Sequence, residues 1–333
     1  MKQRIAVIGA GVSGLTCGVI FAERGFRTAI FAEETGQTTT SAAAGALWFP
    51  YDAEPADKVI AWALQTYKVL VDLSRDWRTG VSMIELRQFS RTGQIQIPSW
   101  AYSLGGSVIS TPLSVIPSGV EESRDFTSGF TMIVPLMDTT IYLDYLANRF
   151  QKAGGTINGN VRFENLEDID PKFDLVINCS GIGARSLIHD ADLEPHRGQV
   201  AIVPKIDNLS CAMVCDDAPL MYAIPRTTDC LFGGTNELSD NLDLDPASTS
   251  RIVAECSRVL NIAKPRILAE RVGLRPFRKS GVRVEDDVLR DGRTVIHNYG
   301  HGGSGFTLSW GCAKQLLELA NRRFTSARWL GRS

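Results

Sequence analysis

The stretch "RIAVIGAGVSGLTCGVIFAERGFRTAIFAEE", Arg4 to Glu34, decides how the rest of the chain is read. Ile5 to Ile8 are apolar without alternation, the pattern of a strand buried on both faces. A glycine turn follows, then an apolar helical run to about Glu23 and a second strand ending at Phe31. Gly9 permits the tight turn, Gly11 lets a pyrophosphate approach the backbone, and Gly14 lets the helix lie against the strand. The amides of Ala10, Val12 and Ser13 then sit at a helix N-terminus, where they favour a phosphate. Glu33 falls nineteen residues after Gly14, at the tip of the second strand, where a carboxylate accepts both ribose hydroxyls and repels a 2′-phosphate.

A glycine-rich βαβ turn without a ligand is the plain alternative, and a lone fingerprint argues little against it. Here the strand, the helix, the second strand and the acid all stand in register with the glycines, so a dinucleotide is expected. The motif does not separate FAD from NAD. The next segment does: an NAD dehydrogenase would continue with further βα units, whereas this chain enters "TGQTTTSAAAGALWFPY", Thr35 to Tyr51. Hydroxyls at Thr38, Thr39 and Thr40, with unhindered amides around Ala42 to Gly45, suit a loop wrapped about a phosphate and a flat ring. A plain surface loop would not need the alanines and the aromatics beside them.

Residues 57–77 carry apolar positions at helical spacing. Between Thr79 and Thr131 the pattern changes to short alternating segments with Gly, Pro and Ser punctuation, as in an antiparallel sheet. Residues 139–155 read as a helix closed by a glycine pair, and residues 174–187 resume the two-faced buried strand, ended by Gly181 and Gly183. The expected fold is α/β plus α+β. A Rossmann-type dinucleotide domain made of 1–50, 140–186 and 270–333 is interleaved with an antiparallel-sheet substrate domain made of 51–139 and 187–269.

The composition excludes other classes. A net charge of −2 over 35 basic and 37 acidic residues, with no like-charge run, gives no electrostatic footprint for nucleic acid or a membrane surface. No apolar run approaches the roughly 18–20 residues of a membrane span, and neither a signal pattern nor a peroxisomal C-terminus is present, so a cytoplasmic protein is expected. Seven cysteines without zinc spacing read as reduced, mostly buried thiols, with Cys211 and Cys215 as the one place where a disulfide is conceivable.

Taken together, "GAGVSG", "TTTSAAAGALWFPY", "INCSGIGAR", "RGQV", "YAIPR" followed by "LFGGT", "VGLRPFR" and "IHNYGHGGSGFTLSWG" resemble, in order and over nearly the whole chain, the D-amino-acid oxidase family of FAD enzymes. The resemblance implies a glutathione-reductase-like FAD domain, oxidation of D-amino acids with molecular oxygen to hydrogen peroxide, and a homodimer. It puts the carboxylate-binding arginine on Arg275, whose fork suits a planar carboxylate, and the substrate tyrosine on Tyr222. It makes the Gly303 carbonyl an acceptor for the substrate amine, with Ser304 placed to help through a water. It adds Ala44, Gly45, Ala46, Val161, Ser180, Gly181, Gly302, Gly303, Gly305, Phe306 and Thr307 to the cofactor's neighbours. The helix start near Gly303 to Phe306 would face the flavin edge that gains negative charge on reduction. A second tyrosine common in the family a few residues before Tyr222 has no counterpart in Asp217 to Met221.

His297 and His301 are expected to be hydrogen-bonded structural residues, with no metal. No side chain is expected to act as acid or base. A preference for acidic substrates would call for a second arginine near "FGGT", where Asn236 stands instead, or for Arg226 turned inward. Neutral D-amino acids are therefore expected, with a D-aspartate or D-glutamate oxidase, a glycine or sarcosine oxidase, an NAD-dependent dehydrogenase and a non-catalytic flavin protein as the alternatives.

Overall fold

The computed structural model describes residues 2–109 and 126–330. The first of two sheets takes its parallel strands from three separated parts of the sequence: β1 (Arg4–Ile8) and β2 (Arg27–Phe31), β6 (Thr156–Asn158) and β7 (Leu175–Asn178), and β15 (Thr294–Tyr299). Its order is β14-β15-β7-β1-β2-β6, with β14 (Arg283–Val288) antiparallel at the edge. On β1, Ile5 and Val7 belong to the core shared with helices α1 (Val12–Glu23) and α7 (Gly305–Leu330). Ala6 and Ile8 point the other way, to Val176, Leu166 and Leu289. Burial on both faces is why this strand reads as an unbroken apolar run.

The second sheet collects β3 (Val81–Ser90), β4 (Ser107–Val108), β5 (Ser128–Met137), β8 (Leu193–Pro204), β9 (Cys211–Cys215), β10 (Met221–Pro225), β11 (Asp229–Gly233), β12 (Glu237–Leu238) and β13 (Ala269–Arg278). Pairing is antiparallel except between β3 and β9. Period-two alternation divides its faces. Met213, Cys215, Met221, Ala223, Ala201 and Phe232 turn to helix α6 (Pro246–Val259), whereas Leu86, Gln88, Val214, Tyr222, Ile224 and Val200 turn to a large cavity. Helix α2 (Ala56–Leu73) packs on α7, and α4 (Thr139–Lys152) on α1. The single-turn helices α3 (Ser99–Tyr102) and α5 (Ala184–Leu187) complete the inventory.

Several expectations change. The helix read over 57–77 ends at Leu73, and that read over 139–155 ends at Lys152. Of the alternating stretch between Thr79 and Thr131, residues 110–125 lie outside the described residues. The segment 270–333 does not belong wholly to the first sheet: β13 pairs with β8 along its whole length, from Ala269↔Ile202 to Arg278↔Leu193. Only the residues after β13 return to the first sheet. All seven cysteines are free and buried. Cys211 and Cys215 begin and end one extended strand, about 13 Å apart, too far for a disulfide.

Candidate active site

The cavity has a volume of about 1220 Å³ and runs from the carboxyl ends of β1 and β2 to the inner face of the second sheet. At its first end, Gly9 adopts φ +104°, and a side chain on Gly14 would strike the Gly9 carbonyl oxygen. Gly14 thus holds the helix against the turn but does not line the cavity, while Gly9, Ala10, Gly11, Val12 and Ser13 do. Glu33 also lines it, its carboxylate 3.6 Å from the Arg162 guanidinium.

The loop after β2 is bound to itself and to both sheets. Thr38 and Thr39 line the cavity, but their hydroxyls donate to the carbonyls of Thr35 and Gly36, at 3.0 and 2.8 Å, building the short turns of the loop. The hydroxyl that meets the glycine turn is that of Ser41, which accepts the Val12 amide at 3.0 Å. Thr40, Ala44, Gly45 and Ala46 border the same space. The Ala46 carbonyl accepts from Met137, and the Trp48 amide donates to Pro135, so the loop's end joins the second sheet at β5. Val161, Ser180 and Gly181 close the side next to β7, with both the Ser180 amide and hydroxyl donating to Asn178 Oδ1.

Gly302, Gly303, Gly305 and Phe306 form the middle of the wall, and a side chain on Gly303 would run into the ring of Tyr51. Two hydroxyls expected here are spent elsewhere. Ser304 is fully buried and accepts the Tyr51 amide at 2.7 Å while donating to the Tyr51 carbonyl at 2.5 Å. Thr307 makes the same reciprocal pair with Phe49, at 3.1 and 3.0 Å. Both hydroxyls fasten the loop to the start of α7, and neither side chain borders the cavity.

The substrate end is assembled across strands. Arg275 on β13 lies over Gly198 on β8, a position where any side chain would collide with the guanidinium. Its Nη1 donates to the Thr235 carbonyl at 3.0 Å and to Asn236 Oδ1 at 3.2 Å, which fixes the fork. Tyr222 lies against Gly233 and Gly234, close to Arg275. Burial raises the Tyr222 phenol's pKa, and the guanidinium partly opposes the rise. Arg226 is not part of this cluster. It is buried in a two-pronged pair with Asp229, at 2.6 and 3.0 Å, and does not line the cavity.

The sequence reading missed Tyr51, Asn236, Ser41, Gln88 and Asp216. Asn236 Nδ2 donates to the Tyr51 hydroxyl at 3.2 Å while its Oδ1 accepts from Arg275, so one amide ties the tyrosine to the arginine. The Tyr51 phenol is pushed up to about 12, first by burial and then by the Asp216 charge, with Arg275 opposing. The phenol missing before Tyr222 is thus matched by one from a loop 171 residues earlier. Its only sequence signal was the aromatic end of "LWFPY". The histidines are hydrogen-bonded, as expected: His301 Nε2 meets Asn298 Oδ1 at 3.0 Å and His297 Nδ1 meets Asn178 Nδ2 at 3.2 Å. Burial lowers both pKa values to about 4, leaving the rings neutral.

This fold and this cavity are those of a dinucleotide-dependent oxidoreductase. Residues 4–319 match the sequence model of the family described as FAD dependent oxidoreductase, and the chain belongs to that family. It is 37% identical over 324 residues to a D-amino-acid oxidase of Rubrobacter xylanophilus, covering 95% of each chain. It is 38% identical over 322 residues to a D-amino-acid oxidase of Streptomyces coelicolor, covering 95% of this chain and 96% of that one. Among solved structures, glycine oxidase from Geobacillus kaustophilus superposes with a TM-score of 0.81 at 17% identity, over 96% of this chain and 95% of that one, a likeness of fold.

Proposed function

We propose that this chain oxidises D-amino acids to 2-oxo acids, ammonia and hydrogen peroxide, with FAD held between the glycine turn and the loop after β2. The observation that carries the reading is the Arg275 fork, fixed by Thr235 and Asn236, with Tyr222 beside it and the glycine-lined wall 302–305 bordering the same cavity. The cavity suits the cofactor: it is long enough to take a dinucleotide, and its turn has no room for side chains at Gly9 or Gly14. Gly9 to Ser13 would hold the pyrophosphate, Glu33 the ribose, and Ala44 to Ala46 with Gly302 to Phe306 the ring. The division of labour between the sheets, cofactor on the first and substrate on the second, is part of the proposal.

Arg275 and Tyr222 grip the α-carboxylate, and the Gly303 carbonyl accepts a hydrogen bond from the amine. With carboxylate and amine fixed, only one enantiomer turns its α-hydrogen toward the cofactor. When bound, FAD supplies the acceptor for that hydrogen as hydride and passes the electron pair to oxygen. The neutral amine's lone pair drives the loss, so no side chain has to remove the α-hydrogen as a proton. The resulting imine hydrolyses to the keto acid and ammonia. Arg226 is committed to Asp229 and Asp216 borders the cavity, which disfavours a second carboxylate on the substrate and supports neutral over acidic side chains. Thiols that are all unpaired fit a reducing cytoplasm. Among the described residues no helix is long and apolar enough to cross a membrane. A homodimer is part of the same reading, to be checked by light scattering.

The test is anaerobic spectroscopy of the flavin-loaded protein with D-alanine, L-alanine and glycine. Bleaching by the D isomer, with weaker bleaching by glycine and none by L-alanine, is expected. In Arg275→Ala the flavin stays bound, while kcat/KM for D-alanine falls by about three orders of magnitude. Normal turnover in that variant, or bleaching by glycine ahead of D-alanine, overturns the assignment.

A further inference from the structure

One part of the substrate wall is left over once Arg275, Tyr222 and Gly303 have their roles. Gln88 on β3 and Tyr222 on β10 both stand opposite Val214 on β9, and Asp216 lies two residues beyond Val214 on the same face. All four border the cavity. Gln88 is 6% exposed; its Nε2 donates to Asp216 Oδ2 at 2.8 Å, and its Oε1 has no partner. The neighbouring Asp217 is satisfied by the Ser90 hydroxyl at 2.8 Å and the Arg91 amide at 2.6 Å. Asp216 has the single bond from Gln88 and, among the described residues, no ion pair. The nearby Arg91 is paired with Glu255 at 2.7 Å. The Asp216 carboxylate is exposed and borders the cavity. Partial desolvation raises its pKa, the Gln88 hydrogen bond opposes the rise and the Asp217 charge adds to it. Tyr51 and Arg275 border the same cavity.

A buried amide oxygen without a donor, beside a carboxylate without a cation, favours an occupant rich in donors and positively charged. We propose that Asp216 and Gln88 form a cation subsite at the side-chain end of the cavity, so that D-amino acids bearing an ammonium or guanidinium group are preferred to uncharged ones of the same length. The proposal rests on the assignment of Arg275 as the anchor of the α-carboxylate. A substrate held there by its carboxylate presents a distant cation to Asp216. An apolar side chain leaves Gln88 Oε1 without a donor and the Asp216 charge without a cation, and an acidic one is repelled.

The test compares kcat/KM of the flavin-loaded protein for D-lysine and D-norleucine, which has lysine's carbon chain without the ammonium. D-lysine is expected to lead by about tenfold or more, and Asp216→Asn to remove most of that ratio. A second measurement needs no variant: perturbation of the flavin spectrum by 6-aminohexanoate and by hexanoate, with the amine binding about tenfold more tightly. D-norleucine oxidised as well as or better than D-lysine, hexanoate bound as tightly as its amine, or a ratio unmoved in folded Asp216→Asn sinks the subsite and leaves the Arg275 reading standing. If neither D-amino acid reduces the flavin, the Arg275 reading falls, and the subsite with it.

Discussion

The two ends of the cavity are built in opposite ways. The cofactor end depends on backbone shape within one short stretch, Gly9 to Gly14, with a strand and a helix attached. The substrate end depends on side chains carried by β3, β9, β10 and β13 and by the loop at Tyr51, brought together by strand pairing alone. Damage at the first end should therefore be global, and damage at the second graded and chemical.

The largest effect is expected at Gly14. A valine there has to displace the Gly9 carbonyl, so Gly14→Val should cost more than about 4 kcal/mol and give insoluble or colourless protein, read from flavin absorbance and thermal midpoint. A yellow variant of ordinary stability would show that the turn tolerates a different packing, and the contrast between the ends would collapse. Next come the two histidines, His297 within β15 and His301 just after it. Their folded pKa values of about 4 lie below the ordinary 6.5, so between those values the unfolded chain takes up protons that the folded chain does not. Stability should fall as the pH drops from 7 to 5, by roughly 2 kcal/mol per histidine. Denaturant midpoints across that range measure the loss, and a flat profile would mean that the rings ionise in place.

The smallest effect belongs to the substrate end. Tyr51→Phe removes the acceptor for Asn236 and leaves the flavin's neighbours intact. A loss of about 1 kcal/mol, near fivefold in kcat/KM for D-alanine with unchanged flavin content, is expected. Loss of flavin in this variant would show that the two ends are not separable.

Legibility in the sequence follows the same division. The βαβ unit could be read because strand, glycine turn and helix adjoin, and hydrophobic patterning reports burial directly. Arg275 and Tyr222 were legible only through motifs resembling known enzymes, since nothing local says that β13 and β10 approach one another. The backbone partners of Ser304 and Thr307 could not be read, because a hydroxyl beside a site serves a ligand or a backbone equally well from sequence alone. Only the reciprocal bonds to Phe49 and Tyr51 decide between the two. Tyr51, Asn236 and Gln88 left almost no trace, because what matters in each is its neighbour across a gap of 39 or more residues.

Those same reciprocal bonds bear on how the protein is made. Residues 49–51 are written early in the chain, yet the hydroxyls that fix them lie at Ser304 and Thr307, near its end. The loop after β2 therefore lacks these four bonds until some three hundred residues have been translated, and a chain cut before α7 would keep the fingerprint without the two hydroxyls that hold that loop.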